Sequence, residues 1–367
     1  MPYPRISPAE IAVFPLTKRA SKSNIEKVAV NPDAPPPLPP YHKSTINFVA
    51  RQIRQARAQQ RAVILAFGAH LIKNGLSPVL IRLMEEGWVT HLATNGAGGI
   101  HDWEFAWQGC SEEDVRQNVA TGCFGAWEET GKYINLAVLL GALKDMGYGE
   151  SLGALIDEQQ LSIPTTEQLQ KTILEYLRTE NNLLPAAAEL FTSIINNHLP
   201  TGLLPIEHPF NRYSVFGNAF HLRIPVTVHP GIGYDIIYNH PLANGAALGR
   251  GAHLDFQSMV HSVSQLNGGV FLSIGSAIMA PQVFEKSLSF ANNLLLQKGQ
   301  EIIKNFTIVV NDLQTTTWNW ADGEPPKSSP DYYFRFLKSF YRMGGKVTYV
   351  AADNRIFMGN LYAALRG

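Results

Sequence analysis

The sequence has no excess of charge of one sign, and this absence bears on the partners it can have. Its 30 lysine and arginine residues balance 30 aspartate and glutamate residues. Without a basic excess we expect neither a nucleic-acid partner nor binding to an anionic membrane surface. Long apolar runs are absent too, since none approaches the ~20 residues of a membrane helix. The start, "MPYPRISPAEIAVF", lacks the features of a secretion signal.

Cysteine is scarce, and several catalytic motifs are missing. Cys110 and Cys123 are the only two cysteines in 367 residues. A chain of this length does not need disulfides, and these two are not spaced as metal ligands, so we expect a reducing, cytoplasmic compartment. There is no glycine-lysine phosphate loop and no G-x-S-x-G elbow, which argues against a P-loop enzyme and a serine hydrolase of that type.

What the sequence does contain is enough apolar material for a large folded core. Hydrophobic residues make up 45% of the chain and charged residues 16%. Residues 1–44 include "NPDAPPPLPPYHK", and this run of prolines predicts an extended arm. Residues 45–367 are predicted to form the main domain. Within it, about 110–222 is rich in helix-type patterns and predicts a helical insertion.

Apolar runs alternate with amphipathic segments on both sides of that insertion. "RAVILAFGAH", "WVTHLATNGAGG", "IPVTVH", "GGVFLSIG", "NFTIVVN" and "KVTYVAA" are typical of buried strands, and helix-type segments lie between them. In "SPVLIRLMEEG" we expect Ser77 to be the helix N-cap and Gly87 the stop. Strands this apolar are usually covered on both faces. The prediction is therefore an α/β fold with a Rossmann-like parallel sheet and helices on both faces.

Glycines and polar residues gather directly after the predicted strands. In such sheets ligands bind beyond the carboxyl ends of the strands. In "NGAGGIHD", residues 95–102, glycine permits positive φ values and lets backbone amides approach a phosphate. The spacing is not the G-x-G-x-x-G fingerprint, and ordinary strand-to-helix turns need glycine as well. Similar turns at 231–233 and 275–276 favour one large phosphate-bearing ligand across the sheet edge.

Histidine and aspartate pairs leave a metal site open as an alternative. His101 stands beside Asp102, His229 precedes Asp235, and His253 precedes Asp255. These residue types suit zinc or a harder divalent ion. No pair has the helical spacing of a zinc protease, so the pattern does not itself predict a metal.

The strand-end segments resemble the deoxyhypusine synthase family, over about 60–110 and 211–367. The segments that carry the resemblance are "LAFGAHLIKNGLSPVLIRLMEEGWVTHLATNGAGGIHD", "RIPVTVHPGIGYDII", "GGVFLSIGSAIMAPQVFEKSLSFANNLL", "TIVVNDLQ" and "PDYYFRFLKSF". In the last of these, Lys338 stands where the family pattern carries its catalytic lysine. The carboxylate of Asp235 stands in the family's acidic place.

The resemblance implies a fold, a cofactor and an activity. Family members have a Rossmann-like NAD-binding fold, form homotetramers as dimers of dimers, and transfer an aminoalkyl group from a polyamine through an imine on the lysine. The implied catalytic residues here are Lys338 as nucleophile, with Asp102 and Asp235 anchoring the positive charge of an amine substrate. Taken with the strand-end rule, the predicted NAD contacts are His70, Asn95, Gly96, Gly98, Gly99, Gly231, Gly275, Ser276, Asn311, Asp312 and Asp353.

Departures from the family pattern leave the function open. The paired histidines of the family are replaced by "MAP" at 279–281, its glutamate by Tyr332 and its stacking tryptophan by Phe336. With these changes, fewer side chains remain that could bind a polyamine. The position of Lys338 is also typical of an ordinary solvent-exposed helix face. The preferred hypothesis is NAD-dependent transfer or oxidation on a small amine. The alternatives are a metal-assisted hydrolase, with His101, His229, Asp235 and His253, and a non-catalytic binding protein.

Overall fold

A computed structural model describes residues 3–367 of the chain, apart from the side chains of Ala321 and Arg335. Its contacts divide the chain into two compact units. The helical unit comprises the segments up to Lys27, Gly99–His221 and Pro230–Asp255, and the sheet unit comprises Val28–Gly98, Leu222–His229 and Phe256–Gly367. The predicted boundaries at residue 44 and around 110–222 were drawn from composition and stay a prediction.

The helices and strands have the following bounds. The α-helices are α1 Ile25–Val28, α2 Lys43–Ala58, α3 His70–Lys73, α4 Ser77–Glu85, α5 Gly96–Gln108, α6 Val115–Ala120, α7 Glu128–Gly141, α8 Tyr148–Glu158, α9 Thr166–Thr179, α10 Leu184–Asn196, α11 Val215–Leu222, α12 Gly245–Ser264, α13 Met279–Gln297, α14 Arg335–Arg342 and α15 Asn354–Arg366. The β-strands are β1 Ser23–Asn24, β2 Val63–Phe67, β3 His91–Thr94, β4 Cys110–Ser111, β5 Gln160–Ile163, β6 Gly202–Pro205, β7 Val226–Val228, β8 Val270–Ile274, β9 Thr307–Asp312 and β10 Lys346–Ala351.

The sheet unit is built on one six-stranded sheet with the order β10-β9-β8-β2-β3-β7, and all neighbouring strands run parallel. Counted from β7, these are the third, second, first, fourth, fifth and sixth strands of the sheet in chain order. This is the doubly wound order of the Rossmann fold. The predicted fold class is therefore confirmed, and all six of its strands lie in the apolar runs that predicted them.

Apolar side chains from alternate strand positions fill the core on one face of the sheet. Phe271 of β8 stacks on Phe284 of α13 with ring centroids 4.0 Å apart, and both rings lie near Phe340 of α14. Apolar residues of α12 join the same cluster. Helices α2 and α15 contact strands β2 and β9 and each other, so the sheet is covered on both faces.

The predicted proline arm does not fall within one unit. Its first part, up to Lys27, is in the helical unit, and the rest is in the sheet unit. There the proline run lies against α15, where the Asn360 side chain donates to the Pro36 carbonyl at 2.9 Å. The missing side chain of Gly359 leaves room for Pro35 and Pro36. In the sheet unit the arm is thus fixed by the last helix.

Two local expectations were wrong or incomplete. Ser77 is the first residue of α4 rather than its N-cap, which is Leu76, and the buried Ser77 hydroxyl has no hydrogen-bond partner. The segment 110–222 is mainly helical, but it also contains β4 and the strands β5 and β6, which pair antiparallel. Among residues 3–367 there is no helix with the length and apolar character needed to span a membrane.

Candidate functional site

The strand order reverses between β2 and β8, and this is where ligands bind in open α/β sheets. The loops after these two strands approach each other closely. The Gly68 amide donates to the Ile274 carbonyl at 3.1 Å, and a Cβ atom at position 68 would overlap the carbonyl oxygen of Gly275. Gly275 itself has φ +56°, a value that favours glycine. Both positions therefore require glycine, for different reasons.

A cavity of about 210 Å³ opens beyond the carboxyl ends of β2, β8, β9 and β10. Its size is below the roughly 300–1,000 Å³ of a full small-molecule site, so it suits part of a larger ligand. Five of the predicted cofactor contacts line it, together with residues that the sequence analysis did not select. The lining residues are His70, Asn74, Gly275, Asn311, Asp312, Leu313, Ala352, Asp353 and Asn354.

Hydrogen-bond acceptors dominate the chemistry of this cavity. Asn311 is 1% exposed, and its side-chain nitrogen donates to the carbonyls of Val350 and Ala352 at 3.0 and 2.9 Å. Its Oδ1 atom is buried without a partner. Beside it, Asp312 contributes a half-buried carboxylate, one oxygen of which accepts from the Leu313 amide at 2.8 Å. The lining therefore favours hydroxyl, amide or ammonium donors over phosphate.

Asp353 adds a second carboxylate at the end of β10. It caps α15 by accepting from the Arg355 amide at 2.8 Å and also pairs with the Arg355 guanidinium. Partial burial by itself raises the pKa of this carboxyl, but the hydrogen bonds and charge of Arg355 hold it below the usual value. Asp353 is thus ionised over the whole neutral range.

The glycine turn of the sheet unit at 95–98 lacks the positive φ values that the sequence suggested. Gly96, Gly98 and Gly99 have helical backbone within α5 rather than positive φ values. The Asn95 side chain accepts from the Gly98 amide at 3.0 Å, and a Cβ at position 98 would overlap the Thr94 hydroxyl. Glycine is needed at position 98 because a larger residue would collide with Thr94. In the helical unit, a Cβ at Gly99 would come within 3.4 Å of Leu152 and Phe216.

Lys338 lies on α14, the helix between β9 and β10, and its side chain is half-buried. Its Nζ atom is 3.6 Å from the centroid of the Tyr332 ring. This is a cation–π contact, and Tyr332 is the position where the resembling family has glutamate. Because crossover helices run opposite to the parallel strands, Lys338 lies in the half of α14 nearer to the strand carboxyl ends.

Asp102 has the contacts of a helix cap. It is fully buried in the helical unit, where its carboxylate accepts from the Ser214 hydroxyl at 2.5 Å and from the amides of Val215 and Phe216 at 2.8 and 3.3 Å. These amides begin α11. Burial raises the pKa of Asp102 to about 6, and these hydrogen bonds oppose the rise.

Asp235 and Gly231 also lie in the helical unit, and they contact each other. The Gly231 amide donates to the Asp235 carboxylate at 2.8 Å. Burial raises the pKa of Asp235 to about 6. The remaining predicted contact, Ser276, is in the sheet unit, where its hydroxyl accepts from the Ala280 amide in the first turn of α13 at 3.2 Å. Ser276 thus stabilises the start of that helix.

The candidate metal ligands do not form a cluster in the described part of the chain. Among residues 3–367 no group of three or more histidine, cysteine, aspartate or glutamate side chains is placed to hold a metal ion. His101 instead contacts the Ser111 hydroxyl at 2.7 Å, and His229 contacts the Thr227 hydroxyl at 3.0 Å. The metal-assisted hydrolase has no geometric support in the described part of the chain.

Two sets of polar side chains in the sheet unit were not predicted, namely the side-chain amides that line the cavity and a chain of hydrogen-bonded residues around His91. Asn74 donates to Asn354 at 3.0 Å across the cavity lining. Asn74 follows β2 and Asn354 follows β10, so the strand-end rule contained the signal. His91 and Thr227, by contrast, stand inside strands, where no sequence rule selects them.

The sheet, its helices and the cavity define a Rossmann-like α/β protein. No protein-family model and no curated protein matches the sequence. Solved structures are similar to it at low identity. A conserved putative LOR/SDH protein from Methanococcus maripaludis S2 is 13% identical with a TM-score of 0.44, covering 91% of this chain and 73% of that one.

Two larger proteins are similar over most of this chain. AgrE, in a ternary complex with ornithine and NAD⁺, is 14% identical with a TM-score of 0.43, covering 88% of this chain and 32% of its own. ArgZ, an arginine dihydrolase from the ornithine–ammonia cycle in cyanobacteria, is 13% identical with a TM-score of 0.41. The match covers 88% of this chain and 33% of ArgZ. The chain therefore spans about a third of their length. At TM-scores below 0.5 the fold assignment rests on the strand order itself.

Proposed function

We propose that this protein is a deoxyhypusine synthase-like enzyme that binds NAD at the carboxyl ends of its strands and oxidises a small amine or transfers its aminoalkyl group. The observation that carries the proposal is the cavity beyond the carboxyl ends of the strands, beside the point where the strand order reverses. Asn311, Asp312 and Asp353 line this cavity. When bound, NAD⁺ accepts a hydride from carbon. The chain's own residues hold and orient the reactants.

The lining of the cavity fits the nucleoside part of NAD. The buried Asn311 Oδ1 needs a hydrogen-bond donor, which a carboxamide N–H group supplies, and the two carboxylates accept hydrogen bonds from ribose hydroxyls. Phosphates would be seated elsewhere, at the start of α5 beside Asn95 and Gly96. The strands β3 and β9 are three positions apart in the sheet, or roughly 14 Å at the usual strand spacing. One extended dinucleotide fits that separation.

Lys338 is the proposed nucleophile of the transfer reaction. A neutral lysine amine attacks the carbon of an imine, and the departing amine takes up a proton, so the aminoalkyl group passes to the lysine. The cation–π contact with Tyr332 holds the side chain in place before substrate arrives. Assembly as a dimer of dimers, implied by the family resemblance, belongs to the same proposal.

NAD⁺ binding by the full-length protein tests the cofactor, measured by isothermal titration calorimetry. Asp312→Asn removes one cavity carboxylate and keeps its size, so we expect binding to weaken about tenfold. Asp33→Asn removes an exposed carboxylate that pairs with Arg366 and should leave binding unchanged. Absence of NAD⁺ binding by the wild type would refute the proposed cofactor.

Borohydride reduction in the presence of NAD⁺ and a panel of polyamines and diamines tests the chemistry. The expected result is a stable amine adduct on Lys338, identified by peptide mass spectrometry and absent in Lys338→Arg. Lys327→Arg, in a turn that precedes α14 and lies outside the proposed site, serves as the matched control. If NAD⁺ binds but no adduct forms, the second candidate, a non-catalytic binding protein, is favoured. The contact between Lys338 and the Tyr332 ring is compatible with that candidate as well.

A further inference from the structure

A continuous chain of hydrogen bonds crosses the sheet unit beneath β3 and β7. His91 Nδ1 is 2.8 Å from the Ser262 hydroxyl, and His91 Nε2 is 3.0 Å from the Thr227 hydroxyl. Thr227 Oγ1 is in turn 3.0 Å from His229 Nε2. His91 and Thr227 are 0% and 1% exposed, whereas Ser262 is half-buried on α12.

The strand register explains why these side chains meet. Thr227 of β7 pairs with Ala93 of β3, so residues at 91, 93, 227 and 229 lie on one face of the sheet. Helix α12 packs on that face through Met259, Val260 and Val263, which brings Ser262 to His91. His229 directly follows β7, and its amide donates to the Thr94 carbonyl at 2.8 Å, beside the predicted seat at Asn95.

We propose that His229 accepts a proton from the amine substrate and that Thr227, His91 and Ser262 relay a proton away from it. The proposal rests on the oxidation half of the proposed function, because β7 and β10 are five positions apart in the sheet and Lys338, next to β10, does not reach the same amine within one chain. Removing a hydride from the carbon of an amine also releases a proton from the nitrogen, and His229 Nδ1, the ring nitrogen that Thr227 does not use, receives it.

The relay balances at every atom. Before transfer, the protons lie on His229 Nε2, Thr227 Oγ1, His91 Nδ1 and the Ser262 hydroxyl. As Nδ1 of His229 gains the substrate proton, its Nε2 proton moves to Thr227, the Thr227 proton to His91 Nε2 and the His91 Nδ1 proton to Ser262. The hydroxyl proton of Ser262 then leaves to solvent, so one proton enters and one departs.

Such a relay lets histidine act as an acceptor where a cation is unfavourable. Burial lowers the pKa of His91 to about 3 and that of His229 to about 4, and for His91 the positive charges of His229 and His261 lower it further. Neither ring is protonated at neutral pH. A concerted shift moves the proton without charging either imidazole, so the low pKa values do not prevent proton uptake.

The single Thr227 hydroxyl proton couples the tautomers of the two rings. When Thr227 donates to one Nε2 atom, it accepts from the other, so His91 and His229 carry opposite tautomers. ¹⁵N chemical shifts of labelled histidines, read by NMR in the full-length protein without ligand, measure this directly. We expect one ring protonated at Nδ1 and the other at Nε2.

Thr227→Val removes the hydroxyl with little change of shape, and we expect it to abolish the coupling and change the tautomer populations of both rings. Ser262→Ala is a second variant at the far end, with the same expected direction at His91. Thr307→Val is the matched control, because Thr307 is a strand threonine of the same sheet whose hydroxyl contacts Gln52 rather than histidine. Identical tautomers on both rings, or shifts indifferent to Thr227→Val, would overturn the relay.

Turnover of an amine with NAD⁺ tests the catalytic role of His229 separately. We expect His229→Ala to lower kcat about 10²–10⁴-fold with NAD⁺ affinity retained, and added imidazole to restore part of it. Thr227→Val should lower kcat with KM unchanged. Undiminished turnover in His229→Ala would overturn its role as acceptor. Failure of the wild type to bind NAD⁺ would refute the proposed function while the tautomer result still decides the relay.

Discussion

Arg19 and Glu104 form a salt bridge sealed inside the helical unit. Two guanidinium nitrogens donate to the two carboxylate oxygens at 2.7 Å each, and the side chains are 2% and 1% exposed. Ser111 and Thr130 donate to the same carboxylate at 2.6 and 2.9 Å. Each carboxylate oxygen of Glu104 thus accepts two hydrogen bonds, and such pairing is what makes a buried charge tolerable.

Arg19→Met should therefore lower the free energy of unfolding by about 3–5 kcal/mol, because it leaves the Glu104 charge buried without a cation. Urea denaturation at pH 7 measures the loss. Arg250→Met is the control, since the Arg250–Glu189 pair is 23% exposed on both sides and should cost less than about 1 kcal/mol. Equal losses in the two variants would show that burial of the Arg19 pair is not the reason.

His208 should make the protein sensitive to acid. It is 1% exposed, and burial lowers its pKa from 6.5 to about 4. Between these values the unfolded chain binds a proton that the folded protein excludes, so stability falls as pH falls. For this residue the loss is about 2 kcal/mol at pH 5. His208→Phe should remove this contribution from the difference in the free energy of unfolding between pH 7 and pH 5.

Denaturation at the two pH values, with His42→Phe as a half-exposed control, checks the expectation for His208. His91 and His229 contribute acid sensitivity of the same sign in every variant, so only the difference from wild type is informative. If the free energy of unfolding falls by the same amount between pH 7 and pH 5 in His208→Phe as in the wild type, the buried ring is not the titrating group.

Gly98 and Thr94 should be coupled energetically. A Cβ at position 98 would overlap the Thr94 hydroxyl, which donates to the Phe67 carbonyl at 2.9 Å. Gly98→Ala should cost about 1–3 kcal/mol of stability from overpacking. In a Thr94→Ala background the same change should cost at least about 1 kcal/mol less. Thermal or urea unfolding of the four proteins gives the cycle, and strict additivity would contradict the close contact.

Gly275 and Gly299 form a matched pair for testing the cavity. Both have positive φ, +56° and +66°, and an added Cβ would meet no neighbouring atom at either position. Alanine at either site should cost about 1 kcal/mol of stability. Only Gly275 lines the cavity. Gly275→Ala should weaken NAD⁺ binding about tenfold, or about 1.4 kcal/mol, while Gly299→Ala leaves it unchanged.

Apolar patterning was sufficient to predict the sheet but not the roles of single polar residues. Five of the six strands of the sheet are buried at nearly every residue, which favours parallel pairing, whereas the edge strand β10 is mostly half-buried. The pair β5 and β6 was not predicted because neither strand is a buried apolar run: β5 alternates between exposed and buried residues, and β6 is largely exposed. Residues at or just after strand ends, such as Asn311 and Asp353, were predicted because position alone selects them.

Partners distant in the chain were beyond the reach of sequence reasoning. Asp102 was selected as an anchor for an amine, yet its carboxylate meets the first turn of α11, more than a hundred residues later. The contacts of His91 with Thr227 and Ser262 depend on the register between β3 and β7 and on the rotation of α12. Such contacts are set by packing, which one sequence does not display.

The interleaving of the two units also has a consequence for biosynthesis. A ribosome delivers β2 early, but its neighbour β8 emerges only after the whole of α5 to α12 has been made. Pairings this distant in the chain close slowly. The nascent central strand therefore stays without one of its neighbours for most of translation, and chaperone dependence of the yield is the observable result.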